Sequence, residues 1–259
     1  MAKQGKISSK VLVSFFLLVT LAFVLIAAIV WKLDQPLPVD TSPKMFNKQL
    51  YSRSDPDSLW VVVNKTRVLP ADYSPGDLAV PGVSLRSNAS DPQMSLRRPA
   101  AKALERMFGA ATKDGIELRL ASGFRSYNLQ QAAYESEVNA LGRTKADTES
   151  ARAGYSEHQS GLAADIEPSD RRCEFMPCFA ETAEGKWLAR NSYKYGYVIR
   201  YLPGKQKITG YIHEPWHFRY VGTELANELF RTGLTLEQFF GLPPAADYSS
   251  RPLHLGGEQ

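Results

Sequence analysis

The sequence predicts an α+β fold, in which an antiparallel sheet with flanking helices forms the main domain, preceded by one N-terminal transmembrane helix. After the apolar N-terminal segment, helical patterns come first and most strand patterns follow. The connections between strands are too short for the repeated crossover helices of a doubly wound sheet. A chain of 259 residues, 44% hydrophobic and 22% charged, is also typical of a globular protein.

Residues 11–31 are apolar and uncharged, which predicts a membrane anchor. As a helix rising about 1.5 Å per residue, this segment spans roughly the 30 Å hydrocarbon core of a bilayer. No small-x-small site ends it, which favours an uncleaved anchor over a signal peptide, and no polar face marks a buried core helix. Three lysines lie among residues 1–10, so the positive-inside rule places that N-terminus in the cytoplasm. The rest of a single-pass cell-membrane protein is then extracytoplasmic.

The charge content argues against a nucleic-acid partner. Lys and Arg number 31 against 27 Asp and Glu, which gives a net charge of +4. This small excess is spread along the chain and forms no basic stripe. The two cysteines, Cys173 and Cys178, are too few for a disulfide-framed mini-protein or a zinc ribbon, so a hydrophobic core must stabilise the fold.

The same two cysteines are predicted to form a disulfide. They lie in an oxidising compartment if the topology above holds, and Pro177 favours the turn that brings them together. By the chain-entropy relation so short a loop contributes only about 2 kcal/mol, so the bridge fixes a local loop. Two reduced, buried thiols are the alternative.

The remaining elements follow from periodicity and turn residues. Residues 32–57 carry the proline-rich composition of an extracytoplasmic linker, residues 58–241 form the predicted domain, and residues 242–259 resemble a loose tail. Helices are predicted where an apolar stripe repeats at helical spacing and a glycine follows, over residues 98–112, 127–141, 182–195 and 224–231. Alternating or β-branched runs predict strands over 59–63, 116–121, 162–166, 197–201, 208–212 and 217–221, and the turn at Pro203 and Gly204 predicts a hairpin between 197–201 and 208–212.

Two sets of residues can supply a catalytic zinc site, which needs three protein ligands, an open position and a nearby carboxylate base. The first is the HExxH string of His213, Glu214 and His217. On a helix both histidines would share one face, as in zinc endopeptidases. However, Pro215 and the β-branched and aromatic flanking residues oppose a helix here.

The second set combines His158 and Asp165 with His217 and leaves Glu214 as the base. Gly161 can turn the chain after His158, which places Asp165 on the following apolar strand. A carboxylate on a buried strand needs a partner. The alternative without a metal is a loop histidine, a turn-capping aspartate and a packing turn, and spacing alone leaves both open.

Four sequence blocks occur in an order that resembles a known family: GFRSYNLQ, SEHQSGLAADIE, GKWLARNSYKYGYVIRY and EPWHFRYVG. They are similar to zinc carboxypeptidases of the VanY and LdcB type, relatives of VanX with the Hedgehog-like DD-peptidase fold. The similarity covers roughly residues 60–225. It implies that His158, Asp165 and His217 bind Zn²⁺ and that Glu214 is the general base.

The resemblance also implies roles for three polar residues. Arg125 would contact the scissile carbonyl or the substrate carboxylate, since a guanidinium offers several donors to an oxyanion. Ser156 and Gln130 match substrate-contacting positions of the family, although the adjacent Gln131 can take the place of Gln130. His213 departs from the family pattern, which has Tyr before EPWH.

The implied substrate is the peptidoglycan stem peptide, trimmed of its C-terminal D-alanine by a membrane-anchored D-alanyl-D-alanine carboxypeptidase. An L,D-carboxypeptidase acting on tetrapeptide stems would use the same zinc machinery. An HExxH-type zinc endopeptidase would instead need His213 as a ligand. A non-catalytic wall-binding module would be expected to lack Glu214 or one of the zinc-binding residues, and this sequence has all of them.

Overall fold

The structure, a computed structural model, describes residues 46–257. The predicted cytoplasmic N-terminus 1–10, the predicted anchor 11–31 and most of the predicted linker 32–57 lie outside the described residues. Within residues 46–257 none of the helices has the length and apolar character needed to cross a membrane. The compact unit that contains the sheet begins at Lys48.

Short strands and helices alternate along the described chain. The strands are β1 (Arg67–Val68), β2 (Leu78–Ala79), β3 (Leu96–Arg97), β4 (Leu118–Ser122), β5 (Ala163–Pro168), β6 (Tyr197–Ile199), β7 (His217–Tyr220) and β8 (Leu253–His254). The α-helices are α1 (Arg98–Lys113), α2 (Tyr127–Leu141), α3 (Arg143–Glu149), α4 (Ala183–Asn191), α5 (Gln206–Thr209), α6 (Thr223–Thr232) and α7 (Leu236–Phe240).

A four-stranded antiparallel sheet in the order β4-β5-β7-β6 forms the centre of the domain. Strand β5 lies inside the sheet and is buried along its whole length. Its register sets Asp165 opposite His217 on β7 and opposite Ser122 on β4, where the ladder is irregular. The predicted antiparallel α+β architecture is therefore confirmed for the described domain.

Helix α1 packs the main core against this sheet. Its buried side recurs at helical spacing, with Leu104 and Met107 completely buried, as expected for an amphipathic helix. Pro99 stands in its first turn, where the missing amide hydrogen costs nothing, and Gly115 follows its end with a positive φ of 74°.

The long periodic segments were predicted correctly. The structure has helices α1, α2 and α6 and strands β4, β5, β6 and β7 at the expected places, with ends that differ by at most two residues. Helix α4 covers only the first part of the helix predicted for 182–195, because the last turn, Ser192–Tyr195, is a 3-10 helix that ends at Gly196.

The predicted hairpin between 197–201 and 208–212 is wrong. Residues Gln206–Thr209 form the short helix α5, and Gly210 then turns the chain with a φ of 86°. Strand β6 pairs with β7 instead. The predicted strand 59–63 is also wrong: this buried segment joins no ladder, and the Arg219 guanidinium, not a neighbouring strand, donates to the Leu59 and Val61 carbonyls.

The C-terminal residues differ from the predicted loose tail 242–259. Strand β8 pairs in parallel with β1, and Leu255 is almost completely buried. The Tyr248 hydroxyl accepts a hydrogen bond from the backbone of Arg152. Residues 242–257 therefore belong to the packed domain.

A buried ion-pair cluster joins five parts of this domain. Glu157 Oε1 accepts hydrogen bonds of 2.8 Å from both Arg200 and Arg219. Arg200, after β6, also forms a bidentate pair with Glu237 on α7. Asn64 donates to the same Glu237 carboxylate, which ties in the N-terminal segment.

Candidate active site

Three side chains with metal-binding atoms meet on one face of the sheet. His158 lies in the 3-10 turn Glu157–Ser160, Asp165 lies on β5, and His217 begins β7 directly opposite Asp165. Their ligand atoms lie within 4.8 Å of one another, and all three residues are buried. The structure therefore brings together the His158, Asp165 and His217 set.

Local sequence fixes the position of His158. The Ser156 hydroxyl accepts a hydrogen bond from the His158 amide and caps the turn, and Gly161 ends it in the left-handed region at φ 67°. A Cβ at Gly161 would approach the Arg97 and Leu78 side chains at 3.0 and 3.1 Å. The His158 Nδ1 lies 2.6 Å from the Gly123 carbonyl, which leaves Nε2 facing Asp165 at 3.2 Å.

The three donors fit a zinc ion. Two imidazole nitrogens and one carboxylate oxygen are ligands that Zn²⁺ accepts, and three protein ligands leave a fourth position open, as in catalytic zinc sites. Asp165 Oδ1 is buried and accepts no hydrogen bond, although His217 Nδ1 lies 3.3 Å away. Because a buried carboxylate oxygen without a partner is costly, this atom is well suited to bind a cation.

The electrostatics of the site favour a positive charge at its centre. Burial raises the pKa of Asp165, but His158 and His217 outweigh this through their positive charge when protonated and through hydrogen bonds to the carboxylate, and they hold the pKa well below its usual range. Burial lowers the pKa of His217, but the carboxylates of Asp165 and Glu157 beside its ring raise it to about 9. Burial lowers the pKa of His158, which favours the neutral imidazole that a metal requires.

Glu214 lies beside the three candidate ligands but is not one of them. Its Oε2 is 3.5 Å from His217 Nδ1, and a turn through Pro215 brings both side chains to the same centre. Burial raises the pKa of Glu214 to about 8. A carboxyl group with this pKa can hold or release a proton near neutral pH, which is what a general base requires.

Arg125 approaches the same centre from the loop after β4. Its Nη2 lies 3.9 Å from Asp165 Oδ2, and its guanidinium donates hydrogen bonds to Gln130 and Ser122. Gln130 is buried and donates in turn to the Ala151 carbonyl. Gln131, in contrast, is exposed and bonds Glu135, so Gln130 is the glutamine that faces the site.

These residues line a cavity of about 600 Å³. Arg125 is its only lysine or arginine among the described residues, whereas Glu137 and Glu149 line it in addition to Asp165 and Glu214. The apolar side chains around it include Leu129, Phe175, Tyr201, Tyr211, Ile212 and Trp216. Such a cavity is large enough for the C-terminal part of a peptide.

The HExxH alternative is wrong for this chain. Residues 212–216 form an extended segment and a turn, and His217 begins a strand, so no helix places two histidines on one face. His213 is half-buried and belongs neither to the candidate metal cluster nor to the residues that line the cavity.

The structure has the disulfide between Cys173 and Cys178. It closes the loop after β5, and Phe175 and Pro177 of this loop line the cavity. Arg171, Cys173 and Phe175 all have positive φ angles, of 66°, 56° and 48°, which is uncommon for residues other than glycine. Arg86 forms an ion pair with Glu174, and its guanidinium lies 5.0 Å from the centre of the Phe175 ring.

Four neighbours of the site were not predicted from the sequence. Glu157 Oε2 lies 3.8 Å from His217 Nε2, and the Tyr201 ring lies 4.9 Å from the His217 ring. The Phe175 ring meets Trp216 edge to face. The position of Glu157 directly before His158 was a signal, but nothing in the sequence distinguishes a buried glutamate from an exposed one.

Known proteins resemble this chain over the same region. Residues 93–223 match the VanY family, described as D-alanyl-D-alanine carboxypeptidase. YodJ, a protein of Bacillus subtilis named as a carboxypeptidase, is 43% identical over 186 residues, which cover 72% of this chain and 68% of YodJ. The D-alanyl-D-alanine carboxypeptidase of Enterococcus faecalis is 33% identical over 188 residues, which cover 69% and 64% of the two chains.

Solved structures agree with these similarities. The LdcB LD-carboxypeptidase is 43% identical with a TM-score of 0.68, and the match covers 72% of this chain and 87% of LdcB. The L,D-carboxypeptidase DacB of Streptococcus pneumoniae is 38% identical with a TM-score of 0.58, covering 73% and 89%. A vancomycin-resistance VanY D,D-pentapeptidase in complex with Zn(II) is 33% identical with a TM-score of 0.57, covering 69% and 97%. The chain belongs to the VanY family of D-alanyl-D-alanine carboxypeptidases and is a zinc-dependent hydrolase.

Proposed function

We propose that this protein is a zinc carboxypeptidase that removes the C-terminal D-alanine from peptidoglycan stem peptides. The observation that carries the proposal is the arrangement within one cavity of three candidate zinc ligands, a carboxyl group with a raised pKa and one guanidinium. A hydrolase needs the first two to activate water, and a carboxypeptidase needs the third to recognise a terminal carboxylate.

His158, Asp165 and His217 hold the metal, and Glu214 moves the proton. When bound, zinc supplies Lewis-acid chemistry, which makes water a nucleophile near neutral pH and polarises a carbonyl group. Glu214 accepts the proton of the attacking water and passes it to the leaving amine of D-alanine. Its buried position beside His217, with Oε2 3.5 Å from His217 Nδ1, suits both steps.

Arg125 binds the negative charge of the substrate. It is the only lysine or arginine that lines the cavity in residues 46–257, and its hydrogen bonds to Gln130 and Ser122 fix the orientation of its guanidinium. A fixed guanidinium can donate two parallel hydrogen bonds to a carboxylate. Ser156 lines the same cavity beside His158 and is a further substrate contact.

Two specificities are compatible with this machinery. The resemblance of the sequence blocks implies a D,D-carboxypeptidase, and the family description favours it too. The L,D-carboxypeptidases LdcB and DacB, however, are 43% and 38% identical to this chain, compared with 33% for the VanY D,D-pentapeptidase. We therefore favour L,D activity on tetrapeptide stems and retain D,D activity on pentapeptide stems as the second candidate.

We also propose that residues 11–31 anchor the enzyme in the cell membrane with its catalytic domain outside. The support is the uncharged apolar run and the three lysines before it. This topology would place the domain beside the cell-wall polymer.

We expect His158→Ala and Asp165→Ala to purify with little zinc and without carboxypeptidase activity, because each removes a ligand atom. His213→Phe is the matched control, and it should retain its zinc and appreciable activity because His213 lies outside the cluster. Zinc per chain is measured by elemental mass spectrometry, and circular dichroism verifies folding. A metal-free His213→Phe beside a fully loaded His158→Ala would contradict the ligand assignment.

We expect Glu214→Gln to keep its zinc and lose about 10²- to 10⁴-fold in kcat, since the amide cannot accept a proton. Glu135→Gln, which changes an exposed glutamate on α2, should leave kcat unchanged. Single-turnover rates and zinc content are measured on the same preparations. If Glu214→Gln lost the metal, Glu214 would be a ligand, and normal turnover would show that another group is the base.

Defined tetrapeptide and pentapeptide stems distinguish the two specificities. An L,D-enzyme converts the tetrapeptide to a tripeptide, whereas a D,D-enzyme converts the pentapeptide to a tetrapeptide, and mass spectrometry identifies either product. Removal of zinc by a chelator should abolish the reaction, and added zinc should restore it. If neither stem loses D-alanine while zinc is bound, the proposed function is wrong.

Labelling of intact cells tests the membrane topology. An impermeant thiol reagent should modify a cysteine introduced in 41–47 but not one introduced in place of Ala2, because the first lies outside the cell in our proposal. Permeabilised cells are the control and should show both labelled. Labelling of the second cysteine alone in intact cells would reverse the topology.

A further inference from the structure

The two candidate metal-binding histidines direct opposite ring nitrogens at Asp165. His158 approaches Asp165 with Nε2, at 3.2 Å, and its Nδ1 lies 2.6 Å from the Gly123 carbonyl oxygen. His217 approaches Asp165 with Nδ1, at 3.3 Å, and its Nε2 lies 3.8 Å from Glu157 Oε2. Each ring therefore has one nitrogen beside the third candidate ligand and the other nitrogen beside a different oxygen atom.

The oxygen beside the second nitrogen decides which nitrogen is free to bind a metal. A neutral imidazole carries one hydrogen, and only the nitrogen without it can act as a ligand. The Gly123 carbonyl can only accept a hydrogen bond, so it holds the hydrogen of His158 on Nδ1 and leaves Nε2 free. A carboxylate beside Nε2 of His217 acts in the opposite sense and leaves Nδ1 free.

The second carboxylate oxygen of Glu157 is available for this contact. Its Oε1 accepts hydrogen bonds of 2.8 Å from both Arg200 and Arg219, which fixes the position of that oxygen. Glu157 Oε2 and His217 Nε2 are both buried, and neither has a hydrogen-bond partner within residues 46–257. A buried polar atom without a partner is costly, and an approach of about 1 Å would satisfy both atoms with one hydrogen bond.

We propose that Glu157 is a positioning residue for zinc binding: its Oε2 accepts the hydrogen on His217 Nε2 and thereby keeps His217 Nδ1 free for the metal. Glu157 is neither a candidate metal ligand nor part of the cavity lining. The inference rests on the zinc ligands of the proposed function and is independent of which stem peptide is cleaved. It concerns zinc affinity, so it can be tested without substrate.

Replacement of Glu157 by glutamine should reverse the hydrogen bonding at His217. Both arginines donate to the same oxygen of Glu157, so the glutamine keeps its carbonyl oxygen toward them and directs its NH2 group at His217 Nε2. An NH2 group can only donate a hydrogen bond. It therefore favours a neutral ring with the hydrogen on Nδ1, which is the nitrogen that the metal needs.

We expect Glu157→Gln to weaken zinc binding by about 10- to 100-fold, the range typical of groups that orient a metal ligand. The matched control is Glu237→Gln, which removes the same charge from the same ion-pair cluster. Glu237 pairs with Arg200 and Asn64 and lies outside the candidate metal cluster. Since it shares no partner with His217, its replacement should change zinc affinity by less than about 3-fold.

Zinc affinity is measured on the full chain by competition with a chelator of known affinity. Thermal unfolding of the metal-free proteins, followed by circular dichroism, measures the effect of each variant on the fold. Both variants should unfold at lower temperatures than the wild type, because each leaves buried guanidinium groups less well compensated. Only Glu157→Gln should combine this loss with weak zinc binding.

Nuclear magnetic resonance of the imidazole nitrogens in the zinc-loaded protein locates the hydrogens directly. The chain has only four histidines, which simplifies the assignment. In the wild type His158 should carry its hydrogen on Nδ1 and His217 on Nε2, and both hydrogens should exchange slowly with water because they are buried and hydrogen-bonded. In Glu157→Gln the His217 Nε2 hydrogen should exchange faster, while the His158 signal should be unchanged.

Two results would overturn the proposal. One is a zinc affinity that falls equally in Glu157→Gln and Glu237→Gln, or in neither, since Glu157 would then act on the fold alone or not at all. The other is a zinc-loaded wild type in which His217 binds through Nε2 or has a rapidly exchanging Nε2 hydrogen, and this result is decisive even if Glu157→Gln does not fold. A protein that meets both expectations but cleaves no stem peptide would refute the proposed function and leave the role of Glu157 intact.

Discussion

The buried ion-pair cluster around Glu157 is the constraint on which the active site depends. Its two arginines, Arg200 and Arg219, balance its two glutamates, Glu157 and Glu237, and all four side chains are almost completely buried. Loss of one partner would leave an uncompensated buried charge, which typically costs about 3–5 kcal/mol. Because Glu157 is the first residue of the turn that carries His158 and also lies beside His217, the cluster fixes the turn and the His217 ring together. Buried ion pairs that do not themselves line the cavity thus determine the geometry of the site.

The same cluster explains why two buried glutamates only a few ångströms from His217 behave in opposite ways. Burial alone raises the pKa of both Glu157 and Glu214. Two guanidiniums reverse this for Glu157 and hold its pKa well below the usual range, so it remains an anion. Glu214 has no such partner at hydrogen-bonding distance among the described residues, and its pKa rises to about 8. Glu157 can therefore orient His217 while Glu214 exchanges protons, and the charged partners of each carboxylate determine this difference.

The amphipathic helices and the apolar strand β5 were predictable from periodicity. Spacing left the zinc ligands open, and it was the resemblance of several spaced sequence blocks to a known family that implied His158, Asp165 and His217. The errors have a physical cause. Two segments, 59–63 and 208–212, have the apolar patterns of strands, but an apolar pattern does not identify the partners of the backbone hydrogen bonds. In 59–63 the Arg219 side chain donates to backbone carbonyls, and 208–212 begins within a short helix. The contacts of Glu157 were equally inaccessible, since its arginines lie 43 and 62 residues away.

The loop of residues 171–178, which contains the disulfide, lines part of the cavity without supplying a candidate metal ligand or the candidate base. Three residues of this loop have left-handed backbone conformations, each of which costs about 1 kcal/mol or more outside glycine. A disulfide that closes so short a loop contributes only about 2 kcal/mol, so it offsets much of this cost but adds little to the stability of the fold. The bridge therefore selects one loop conformation over others of similar free energy. The candidate metal ligands lie on the sheet and its flanking turn, so their positions do not depend on the conformation of this loop. A change in the loop can therefore alter the shape of the cavity while the catalytic residues stay in place.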